Sequence, residues 1–176
     1  MKISAQEEYG LRCLLRLSQS EHQALTLPEI AAAEGLSVAY VAKLMGVLRD
    51  AGLIDSVRGR SGGYRLAKAP EEIGLGSLLL VLGEPLYDEG GYCERHAGIA
   101  PDGVCVHHGA CSLRALWQTL EKWMRGTLNQ ITLADLVHNE GRITDLLRSR
   151  LASTVFEETS TLIPLGIAAR GVAGVS

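Results

Sequence analysis

Three cysteines carry the most reactive chemistry in this sequence. Cys93, Cys105 and Cys111 follow a C-x11-C-x5-C spacing, with His96, His107 and His108 among them. Thiolates are soft ligands that suit an iron–sulfur cluster or zinc, and the same thiols could instead form a thiol–disulfide switch or stay inert. The paired C-x2-C of a zinc ribbon is missing, so a zinc site here would be of the Cys3His kind. Cys111 precedes a periodic apolar segment, and a helix start there favours its thiolate. Cys13 lies beside Leu14 and reads as a small buried hydrophobe.

A second set of residues suits nucleic acid. Arg58-Gly59-Arg60-Ser61-Gly62-Gly63 is a glycine-rich basic tip between two alternating segments, Leu53 to Val57 and Tyr64 to Leu66. Arginines on a narrow loop can enter a minor groove or grip phosphates, because glycine lets the backbone approach closely. Taken alone, such a tip is usually a solvated hairpin.

The elements that must position these groups are legible in outline. Ile3 to Ser18 reads as a helix with Leu11, Leu14, Leu15 and Leu17 apolar. Thr26 caps the next helix, with Pro28 early in it and Glu29 placed as in a capping box, and Gly35 ends it. Ser37 caps a third helix running to about Ala51 and closed by Gly52, whose expected buried stripe is Val38, Val41, Met45 and Leu48. Lys43 points nearly the opposite way, flanked by Tyr40. Two helices joined by a tight turn, followed by a two-stranded basic hairpin, form the geometry of a winged helix-turn-helix.

Composition narrows the classes. The chain has 176 residues, 47% hydrophobic and 21% charged, enough for a packed core. Its formal net charge of −3 excludes binding of nucleic acid by bulk basicity. Residues 1–68 carry nine Lys/Arg against seven Asp/Glu, whereas residues 69–112 carry one against seven, so the parts do different jobs. The longest apolar run, Leu78 to Leu82, is far short of the ~20 residues of a membrane span. Met1 to Gln6 has no signal-peptide core, so the expected address is the cytoplasm, where thiols stay reduced. No phosphate-binding glycine loop, nucleophile elbow or acid–base carboxylate pair is present, so an enzyme is not expected.

These residues carry a resemblance. Glu8-Tyr9-Gly10-Leu11-Arg12, Leu27-Pro28-Glu29-Ile30-Ala31, Ser37-Val38-Ala39-Tyr40-Val41, Leu48 to Ile54 and above all Ser56 to Ala67 resemble the IscR/NsrR-type winged-helix transcriptional regulators. The likeness continues through Glu71 to Pro85 and Cys111 to Leu136. It implies a mainly α fold with a small β-wing, a long dimerisation helix, and a homodimer binding double-stranded DNA at a palindromic operator. The implied DNA contacts are Thr26, Pro28, Ser37, Tyr40, Lys43, Arg58, Arg60, Ser61, Gly62, Gly63, Tyr64 and Arg65. Ala42 stands where several relatives carry a polar base-reading residue, so the operator cannot be borrowed.

The resemblance also implies an iron–sulfur cluster (2Fe–2S or 4Fe–4S) on Cys93, Cys105 and Cys111, although the x11 gap is longer than in the best-matched members. Arg114 occupies the place of one branch's histidine ligand. Glu8, before Tyr9, matches another branch's acidic ligand from the partner subunit, and equally suits a plain helix-start acid. Other relatives lack a cluster, so a thiol-switched regulator and a protein-interaction module working with a metabolic enzyme stay open.

Leu113, Trp117, Leu120, Met124, Thr127 and Ile131 follow a four–three alternation, widened by Leu116, Trp123 and Leu128. A helix this apolar needs cover, from a second copy or from the monomer's own core. The expected organisation is a winged helix-turn-helix at 1–68, a connecting helix at 69–87, a cysteine loop at 88–112, the dimerisation helix and its return at 113–136, and a tail at 137–176. Within the tail, Asp145 to Phe156 could be helical, and Thr161 to Ser176 is small and apolar.

Overall fold

A computed structural model describes residues 3–20, 23–59, 62–98, 101, 103–107, 109–137 and 141–149. The element order is α1 (Ala5–Ser18), α2 (Leu27–Glu34), α3 (Val38–Asp50), β1 (Ile54–Val57), β2 (Gly63–Leu66), a 3-10 turn at Pro70–Glu72, α4 (Leu75–Leu82), α5 (Tyr92–His96), α6 (Ser112–Leu128) and a second 3-10 turn at Asp135–Val137. Residues 141–149 are helical, and the rest of the expected tail helix, with Thr161 to Ser176, lies outside the described residues. The architecture is mainly helical with a two-stranded wing. Among the described residues, no single helix is long and apolar enough to cross a membrane.

Local chemistry sets the first three helices. Ser4 and Thr26 each close a capping box, with Glu7 and Glu29 reaching back to the cap amide. Gly35 ends α2 at φ 66°, a left-handed turn that a residue with a Cβ adopts only under strain. Ser37 caps α3, its hydroxyl oxygen accepting from the Tyr40 amide at 3.2 Å. Strands β1 and β2 pair antiparallel with Ile54 opposite Leu66 and Val57 opposite Gly63.

One core joins these elements. Cys13, Leu14 and Leu17 of α1 meet Ile30 and Ala31 of α2, Val41, Leu44, Met45 and Leu48 of α3, Ile54 of β1, and Leu78 and Leu82 of α4. Burial pushes the Cys13 thiol up to about 11, which keeps it protonated and inert. Val38, expected in the buried stripe, is 46% exposed; Leu44 takes the stripe instead. The reason is position: Val38 is the first residue of α3, and burial on this helix begins at Val41.

Tertiary contacts position α4 and α6. The Asn129 side-chain oxygen accepts from the Ser77 amide at 2.9 Å, supplying the start of α4 with the acceptor that Gly74 lacks. A Cβ at Gly76 would stand 2.6 Å from the Arg125 carbonyl oxygen, so the two helices approach backbone to backbone there. Glu121 is buried; it pairs with Arg125 and accepts from the Leu86 amide at 2.8 Å. That contact ties the chain leaving α4 to the middle of α6.

Candidate nucleic-acid interface and cysteine loop

The exposed side of α3 presents Ser37, Val38, Ala39, Ala42 and Lys43. Tyr40 is half-buried, its ring 6.0 Å from Tyr9 and edge-on to it, so it braces α3 against α1 rather than standing free. Thr26 is half-buried, with its hydroxyl donating to Glu29 at 2.7 Å, and Pro28 is exposed in the first turn of α2. Glu34 accepts from Arg12 at 2.9 Å and Arg16 at 3.0 Å, which fixes α1 to the end of α2, and Arg12 lies over the Tyr9 ring.

Arg58 and Arg65 are exposed, and Arg65 faces Asp55 across the ladder. Arg60 and Ser61 lie outside the described residues. Both glycines at the base of the tip have a structural reason. A Cβ at Gly63 would stand 2.5 Å from the Leu25 carbonyl oxygen, and one at Gly62 would stand 2.6 Å from that of Val57. Leu25 and Tyr64 exchange backbone hydrogen bonds at 2.8 and 2.9 Å, anchoring the wing to the lead-in of α2. Tyr64 is half-buried against the core.

The cysteine segment is not one uninterrupted loop, because it contains α5. Asp88 accepts from the Gly91 amide and pairs with Arg95, holding that turn, and Tyr87, Tyr92 and His96 stack with centroids 5.2 and 5.0 Å apart. The Asp88 carboxyl sits below the usual carboxylate range because of Arg95 first and then the Gly91 amide. Cys93 is exposed on α5, and Cys105 and Cys111 are half-buried. Cys111 is the cap of α6: its sulfur accepts from the Arg114 amide at 3.4 Å. His96 and His107 are exposed, and His108 lies outside the described residues.

Iron–sulfur ligation is tested by this arrangement. The donor chemistry suits a cluster, since three unpaired thiols share one segment and one of them caps a helix. The placement does not: among the described residues, no group of three His, Cys, Asp or Glu side chains could hold a metal. Cys93, Cys105, Cys111 and the exposed Glu8 of α1 are therefore not brought together within one chain. Asp88 and the aromatic stack hold Cys93 on α5, while Cys111 is fixed to α6.

The outer face of α6 exposes Leu113 (56%), Leu116 (47%), Leu120 and Trp123 (41%). Trp117 and Met124 are half-buried, and Met124 lines a groove of about 900 Å³ between α1, α4 and α6. Ile131 does not belong to the exposed face: it is 2% exposed, and its carbonyl accepts from the Leu75 amide at 2.8 Å. The helix ends at Leu128, so the alternation no longer describes a face at Ile131. Sequence reasoning missed Glu121, whose burial has no sequence signal, and Asp88, whose spacing before Gly91 and Tyr92 is a readable turn signal.

A helix-turn-helix with an attached basic wing defines a winged-helix DNA-binding protein. Residues 3–139 match the family described as Rrf2, iron-dependent transcriptional regulator. The chain belongs to the Rrf2 family of transcriptional regulators. It is 35% identical over 140 residues to protein rrf2 of Nitratidesulfovibrio vulgaris, covering 79% of this chain and 89% of that one. It is 31% identical over 141 residues to the HTH-type transcriptional regulator IscR of Serratia proteamaculans, covering 80% and 81%. Among solved structures, CymR, the global cysteine regulator of B. subtilis, matches with a TM-score of 0.57 and 32% identity over 78% of this chain and 96% of that one. T. potens IscR matches with a TM-score of 0.58 and 26% identity over 94% of each chain.

Proposed function

We propose that this regulator binds operator DNA as a homodimer and that the chemical state of the loop thiols sets its affinity. The observation that carries the DNA contact is the exposure of the start of α3 and Lys43 together with that of Arg58 and Arg65 on the wing. Lys43 and the start of α3 enter a major groove; Arg58, Arg65 and the tip contact phosphates or the adjacent minor groove. Two copies clasp through Leu113, Leu116, Leu120 and Trp123 of α6, placing half-sites about one helical turn apart. That predicts a palindromic operator, and binding that weakens as salt rises.

Cys111 is the link between loop and scaffold, because changing its sulfur changes the cap of the helix that joins the copies. Two chemistries can act there. The resemblance implies an iron–sulfur cluster on Cys93, Cys105 and Cys111, with Glu8 of a second copy completing the set, and would require the three sulfurs to come together from the places they hold here. The free thiols of Cys93, Cys105 and Cys111 and the likeness to CymR support a thiol switch as the alternative. Either needs a coupling of about 1–3 kcal/mol to change affinity about 5–150-fold.

The test is anaerobic purification with iron and sulfide analysis, followed by titration of DNA from the protein's own promoter with untreated, iron-stripped and oxidised protein. Bound iron and sulfide with a shift on stripping support the cluster. Colourless protein with disulfide-dependent affinity supports the switch. Equal affinity in all forms refutes sensing and leaves DNA binding standing.

A further inference from the structure

The outer side of α3 has little hydrogen-bonding capacity. Ser37 spends one lone pair as the α3 cap, and its remaining hydroxyl, donor and acceptor at once, suits several bases alike; Tyr40 packs edge-on against Tyr9. Ala39 and Ala42, both exposed, have no polar atom in their side chains, so Lys43 is the exposed donor of the helix's middle. An ammonium donates to guanine O6 and N7 but carries no acceptor for the adenine amine and no group that reads thymine. Hydrogen bonding from this helix therefore leaves A·T pairs poorly read.

Val38 supplies something else. It is a branched apolar side chain at the start of α3, and the chain leaves it 46% exposed despite the gain that burial would bring. Ala39 follows it, and Ala42 lies one turn on, so both extend the apolar surface toward Lys43. The apolar feature that base pairs show in a major groove is the C5-methyl group of thymine. We infer that Val38 is a specificity-determining residue that reads thymine methyl groups, with Ala39 and Ala42 allowing the close approach. This rests on the proposed entry of α3 into the major groove.

The test uses the full chain, both kept from air and air-exposed, and a pool of duplexes randomised over two helical turns. The pool is enriched for binders, and the strongest binder is remade with uracil in place of thymine. Removing a methyl that Val38 covers weakens binding about fourfold in each half-site. Val38→Ser should bring the thymine and uracil duplexes within twofold of each other, and Val38→Ile should keep the wild-type ratio. Equal affinity of wild type for the two duplexes overturns the inference alone, leaving DNA binding intact. A thymine preference that survives Val38→Ser also overturns it, by assigning the methyl reading to other residues. Failure to enrich any duplex with either form of the protein overturns the DNA-binding reading and this inference with it.

Discussion

The winged head and the cysteine segment are held in place by different means. In the head, α1, α2, α3 and β1 share one apolar core, and their ends are satisfied by caps drawn from their own turns. In the cysteine segment, Tyr87 is the buried side chain between Gly83 and Cys111 among the described residues. Order there rests on Asp88, the aromatic stack and the Cys111 cap. A reading surface needs rigidity so that base contacts keep their register. A sensing segment needs states close enough in energy for a modest chemical change to select between them.

Substitutions can break that contrast. The largest expected effect is Leu44→Ala, which opens a cavity where the three head helices meet and should cost about 2–5 kcal/mol in denaturant unfolding. Glu34→Gln comes next. It removes the carboxylate shared by Arg12 and Arg16, whose guanidinium groups keep partial contact with water, so about 1–2 kcal/mol is expected.

Thr26→Ala should cost about 1 kcal/mol as a lost cap, and its cost should depend on pH. The Thr26 hydroxyl, and then its amide, hold the Glu29 carboxyl below the ordinary glutamate range. A carboxyl lowered by folding stabilises the native state above its unfolded value, and that contribution fades as pH falls through the folded value. The gap in melting temperature between wild type and Thr26→Ala should therefore narrow in acid. The smallest effect belongs to the other region: Cys93→Ala should change stability by less than about 0.5 kcal/mol, since the side chain is exposed on a five-residue helix. A loss comparable to that of Leu44→Ala would mean that the two regions form one unit.

Legibility in the sequence follows the same divide. The caps at Thr26 and Ser37 and the stop at Gly35 act within a few residues, so side-chain type and spacing reveal them. Val38 and Ile131 mislead because periodicity gives a direction on a helix without saying where cover begins or where the helix ends. The acceptor at the start of α4 comes from Asn129, more than fifty residues away, and no local pattern announces it. Glu121 looks like a surface charge until Leu86 and Arg125 close over it. The cysteines declare their chemistry through residue type, whereas their separation in space depends on α5, which is set by Asp88.

The sealed position of Cys13 has a practical use. A small alkylating reagent at neutral pH should add at most three groups to the native chain and a fourth once the protein is unfolded. Mass spectrometry then carries an internal standard: the fourth adduct reports melting of the head, and the first three report occupancy or oxidation of the sensing segment, in a single sample.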